Sequence, residues 1–74
     1  MARVTLYTRD GCEHCDRLRE RLRAAGDTID EVNLTRTPQA MNELLKLTGG
    51  RPVVPVVVRR GRIEVTPDGG GSSV

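Results

Sequence analysis

The sequence predicts an α/β fold, a four-stranded mixed sheet with helices on both faces, built in the order β-α-β-α-β-β. Three observations predict it. Along the first two thirds of the chain, the apolar spacing twice switches between the alternation of a strand and the three- and four-residue steps of a helix. A valine-rich run then leads through Arg59-Arg60-Gly61 into a second short apolar segment, the pattern of a hairpin. Finally, 74 residues leave room for only one small domain, so the alternating elements must share a sheet.

Val4 to Thr8 places Val4 and Leu6 on one face and Thr5 and Tyr7 on the other, which reads as a first strand ended by Asp10-Gly11. From Cys12 the helix period begins, with Cys15, Leu18, Leu22 and Ala25 on one face and Gly26 closing it. Thr28 to Leu34 is a weaker strand, and Thr37 as N-cap with Pro38 at the first helical position starts a second helix. That helix carries Met41, Leu44, Leu45 and Thr48 and stops at Gly49-Gly50. Val53 to Val58 and Arg62 to Val65 complete the hairpin. Both helices need apolar cover, so one on each sheet face is the simplest packing, with a right-handed crossover joining the first two strands. The folded domain is expected over residues 1–66. The tail, 67–74, is rich in Gly and Ser, has no means of forming a regular element by itself, and is expected to be mobile unless something binds it.

Composition excludes several function classes. Hydrophobic residues make up 36% and charged residues 30%, too apolar and too mixed in sign for a disordered chain. Twelve Lys and Arg stand against ten Asp and Glu, a net +2 without a basic block, so a nucleic-acid surface is not expected. Tyr7 is the single aromatic residue, which leaves no base-stacking platform and no aromatic membrane belt. The start of the chain lacks the apolar core of a signal peptide, and a cytoplasmic location is expected.

Cys12-Glu13-His14-Cys15 carries the chemistry. Two cysteines three residues apart at a helix start lie within reach of a disulfide, but so short a loop would add little stability. The helix start gives a chemical reason instead. Its unpaired N–H groups and dipole favour a thiolate at Cys12, the attacking sulfur, while Cys15 shares the inward face of Leu18 and Leu22 and serves as the resolving thiol. The competing readings are a metal half-site and incidental structural cysteines. A zinc site needs about four ligands, and beyond the cysteines the chain offers only His14.

Leu6-Tyr7-Thr8-Arg9-Asp10-Gly11-Cys12-x-x-Cys15, then Glu31-Val32-Asn33-Leu34 and Val54-Pro55-Val56-Val57-Val58, resembles the glutaredoxin family of the thioredoxin superfamily over Val4 to Val65. The resemblance implies a thioredoxin-like fold and a dithiol–disulfide oxidoreductase acting on protein or mixed disulfides. It also implies a cis Val54–Pro55 bond, with the Val54 backbone pairing with substrate in strand fashion beside Cys12. Arg9 and Arg51 match the basic positions that hold the carboxylates of glutathione. The family's Gly-Gly turn is displaced here: Thr66-Pro67-Asp68 stands in its place and Gly69-Gly70-Gly71 follows later, a loss shared with a mycoredoxin-like branch that serves another small thiol. Glu13 and His14 replace the usual Pro and Tyr. His14 as a hydrogen-bonding or cationic group would stabilise the thiolate, whereas Glu13 and Asp10 oppose it. No tightly bound cofactor is expected. A small thiol such as glutathione or mycothiol would be the electron donor, and the protein a monomer or weak dimer. The alternative is an iron–sulfur or metal-binding module using Cys12 of two chains. The family's final helix is missing, which leaves either a minimal member or an apolar patch on one sheet face.

Overall fold

The computed structural model describes residues 2–74. Strand β1 (Arg3–Thr8) alternates as its sequence requires, with Val4 and Leu6 buried on one face and Tyr7 on the other. Helix α1 (Glu13–Ala24) carries the chain over to β2 (Thr28–Asn33), which pairs parallel to β1 with Leu6 opposite Glu31. Helix α2 (Met41–Thr48) then leads to β3 (Val53–Val54), β4 (Val56–Arg59) and β5 (Arg62–Val65). The main sheet runs β2-β1-β4-β5, and its last two junctions are antiparallel. It is the predicted mixed four-stranded sheet.

Two apolar clusters lie on its two faces. Leu18 and Leu22 of α1 meet Val4, Leu6 and Val57 on one, and Leu44 of α2 meets Tyr7, Leu34 and Val56 on the other. The Tyr7 hydroxyl donates to the Glu43 carboxylate at 2.9 Å, tying β1 to α2. Burial, reinforced by that carboxylate, pushes the phenol pKa up to about 12.

Four local expectations are corrected. Ala25 is exposed, because α1 ends at Ala24 and Ala25 becomes its cap. Pro38–Ala40 is a tight 3₁₀ turn ahead of α2, and Thr37 precedes it without a side-chain capping bond. The run Val53–Val58 is interrupted at Pro55, which has no N–H to give a ladder. The tail is not without regular structure: β6 (Ser72–Ser73) pairs antiparallel with β3, in the register Val53 to Ser73 and Val54 to Ser72.

There is no third helix among the described residues. The register puts Val57 opposite Glu64 and Arg59 opposite Arg62, so Arg59, Arg62 and Glu64 share the α1 face with Val57. The outer part of that face is therefore charged. Arg59 is bidentate to Asp27, whose side chain is 7% exposed. Of the two alternatives for this face, an apolar patch is not what the residues form.

Candidate active site

Gly11 takes φ 73°, a left-handed conformation that glycine adopts without penalty, and so delivers Cys12 to the cap of α1. There the Cys12 sulfur accepts the backbone N–H of Cys15 at 3.1 Å, as a serine or aspartate oxygen does at other helix starts. Cys12 and Cys15 are joined in a disulfide with Cα atoms 5.2 Å apart. Once the bond is reduced, the same amide and the helix dipole favour charge on Cys12.

The acidic neighbours are engaged elsewhere. Glu13 pairs with Arg17 at 3.2 Å on the exposed face, and Asp16 with Arg19 at 2.9 Å. Asp10 accepts Asn33 Nδ2 at 2.8 Å, and its N–H donates to Thr35 at 3.0 Å. Their opposition to a Cys12 thiolate is thereby reduced.

The turn that follows β1 is anchored by a network that the sequence reading missed. Thr8 is fully buried, and its hydroxyl donates to Glu31 at 2.8 Å. Glu31 in turn receives Arg19 at 2.6 and 2.7 Å, so β1, β2 and α1 are tied together. The Arg19 hydrogen bond holds the Glu31 carboxyl below its ordinary range, and the guanidinium is held correspondingly above its own. A carboxyl lowered by folding stabilises the native state above its unfolded pKa, about 4.3 for Glu, and that stabilisation is lost as pH falls through the folded value. Glu31→Gln is therefore expected to cost on the order of 1 kcal/mol at pH 7, about 4–8 °C in melting temperature. Melting curves at pH 7 and pH 3 check this, and the gap from the parent should close at the lower pH.

Cys12, Cys15 and Val54 belong to one buried cluster, and the Val54–Pro55 bond is cis. Both cysteine residues are 0% exposed, Cys12 as fully as Cys15 on its inward face. The tail packs against the cluster that contains them. The His14 ring lies against Gly70, and a Cβ built on Gly71 would strike the Val54 carbonyl. Val74 packs against the cysteine cluster, and its N–H donates to the Pro52 carbonyl at 2.9 Å. The sequence did contain a signal: three successive glycines permit close backbone approach as well as flexibility.

Arg9 is half-buried beside Gly11 and donates from Nη1 to the Asp10 carbonyl at 2.8 Å, while its buried Nε has no partner among the described residues. Arg51 is exposed at the turn after α2, and its side chain makes no hydrogen bond or ion pair with the described residues. No three His, Cys, Asp or Glu side chains among the described residues are grouped for a metal. None of the described helices is long and apolar enough to cross a membrane.

Comparison with known proteins gives a consistent result. Residues 4–64 match the family model described as glutaredoxin. The gene 56 protein of Mycobacterium phage L5 is 42% identical over 57 residues, covering 77% of this chain and 54% of the phage protein. A glutaredoxin of Neisseria meningitidis serogroup A is 36% identical over 59 residues, covering 78% of this chain and 69% of that protein. The chain thus spans about half the length of the phage relative and about two thirds of the bacterial one. Among solved structures, a glutaredoxin from Archaeoglobus fulgidus superposes with a TM-score of 0.78 at 23% identity, covering 99% of this chain and 78% of that one.

Proposed function

The chain belongs to the glutaredoxin family of the thioredoxin superfamily, and on that premise we propose that it is a dithiol–disulfide oxidoreductase acting on protein or mixed disulfides. The observation that carries the reading is the Cys12 sulfur at the cap of α1, accepting the Cys15 N–H with Cys15 bonded behind it.

In the proposed cycle the Cys12 thiolate attacks one sulfur of a substrate disulfide. A Cys12–substrate bond forms, the substrate S–S bond breaks, and the departing sulfur takes a proton from water. The Cys15 thiolate then attacks Cys12, which releases the second substrate thiol and leaves the Cys12–Cys15 disulfide; two electrons have passed to the substrate. Two small thiols reverse the change. One attacks Cys12 and frees Cys15, and the other restores Cys12, leaving as the oxidised small-molecule disulfide. This chemistry suits a reducing, cytoplasmic setting, where disulfides are transient and catalytic.

Val54, in the buried cluster with both cysteines, and Pro55, joined to it by the cis bond, are assigned to substrate alignment, and His14 to the rim of the site. Arg9, half-buried beside Gly11, and the exposed side chain of Arg51 are assigned to the carboxylates of the thiol donor. Accessible ionic contacts contribute about 0.2–1 kcal/mol each, so Arg9→Ala or Arg51→Ala is expected to weaken use of a carboxylate-bearing thiol about fivefold or less. Reduction by uncharged dithiothreitol should be unchanged, and steady-state comparison of the two reductants checks it. The donor itself is tested by giving oxidised protein glutathione, mycothiol or a thioredoxin reductase system separately and following the disulfide by mass. Reduction by a small thiol through a mixed disulfide is expected. If none of the three reduces it, the proposed activity is wrong.

A further inference from the structure

We propose that Gly70–Val74 is a strand-mimicking strap that closes this site, and that disulfide exchange at Cys12 requires it to peel away. The inference rests on the oxidoreductase reading above and concerns how that site is regulated.

The strap is built from a defined turn. Pro67 occupies the second position of the turn Thr66–Gly69, which is closed by the Gly69 N–H on the Thr66 carbonyl at 2.9 Å. Thr66 holds φ 44°, a left-handed value that costs a β-branched residue energy, so the hinge is under strain. Asp68 pairs with Arg21 of α1 at 2.7 Å and fixes the direction of the returning chain. Beyond it Gly70 lies on His14, Gly71 passes under the Val54 carbonyl, and Ser72 and Ser73 pair with Val54 and Val53. Only glycine fits at Gly71, because a Cβ there would meet the Val54 backbone and the Thr66 methyl.

The strap therefore fills a backbone edge of Val53–Val54, the segment assigned above to strand-like substrate pairing, and Val74 closes over the cluster that contains both cysteines. With Cys12 at 0% exposure, an incoming sulfur has no line to it while the strap is seated. A short paired segment that follows a strained hinge and a run of three glycines has a low opening cost. An extended polypeptide can replace its backbone bonds by pairing with Val54, whereas a small disulfide cannot, so the strap selects for substrates that present a strand.

The test uses the full chain. The oxidised parent, Gly71→Val and Ser72→Pro are each reduced with excess dithiothreitol, and loss of the Cys12–Cys15 bond is timed by mass. Gly71→Val blocks the close approach, and Ser72→Pro removes an N–H opposite Val54. Both are expected to be reduced about tenfold faster than the parent, equivalent to about 1.4 kcal/mol of strap opening. In the parent, hydrogen exchange should find the Val74 amide protected. Equal reduction rates in all three proteins, or an unprotected Val74 amide in the parent, would overturn the proposal; the second outcome holds even if a variant fails to fold. Loss of the oxidoreductase reading looks different, since the access difference would persist while no disulfide substrate is turned over by any form.

Discussion

Cys12→Ser is expected to lower disulfide reductase turnover by about a thousandfold or more, because a hydroxyl at the α1 cap is not ionised near neutral pH and has no equivalent nucleophilicity. Cys15→Ser is expected to behave differently. It retains the first attack, since Cys12 keeps its cap position and the backbone N–H of residue 15, but it cannot resolve the product. Turnover of protein disulfides should stall after one equivalent, with the mixed disulfide accumulating. Single-turnover and steady-state rates for the two variants separate these behaviours. Equal losses at both steps would remove the distinction between attacking and resolving sulfur.

The second large effect is structural. Leu6 is fully buried in the central strand and clusters with Leu18, Leu22 and Val57 where α1 meets the sheet. Truncating such a leucine removes its transfer energy and leaves a cavity that the neighbours only partly fill, so Leu6→Ala is expected to cost about 3–4 kcal/mol. A chain this small has a core at the marginal end of the usual range, and that loss corresponds to roughly 12–30 °C in melting temperature. Ile63, 44% exposed, is the control: Ile63→Ala should stay within about 0.5 kcal/mol of the parent. Denaturant or thermal unfolding of both variants checks the pair.

The contrast between these residues explains what could be read from the sequence. Strand alternation at Val4, Leu6 and Tyr7, and the helical spacing of Cys15, Leu18 and Leu22, are local signals, and the structure buries these residues. The cysteine pair was legible for the same reason, since a cap position and its neighbour three residues on lie within one turn. Ala25 was misread because periodicity does not say where a helix stops. The Thr8–Glu31–Arg19 network joins residues distant in sequence, each of them unremarkable as a surface type. The tail was misread for a deeper reason. Ser72 and Ser73 have no strand signature, and their pairing depends on a backbone edge that exists only after Val53 and Val54 are folded against the cysteine cluster. Glycine reads equally as freedom or as close contact until the partner surface is known.

In the proposed chemistry Cys12 carries covalent exchange and Cys15 resolves it. Its most direct measurement is the mass and position of the adduct formed when the reduced Cys15→Ser variant meets a peptide disulfide. One half of the disulfide is expected on Cys12, removed by excess small thiol, with no comparable adduct on Cys15 in the Cys12→Ser variant. Absence of an adduct on Cys12 in a folded Cys15→Ser protein, or equal labelling of Cys15 in the other variant, would contradict it.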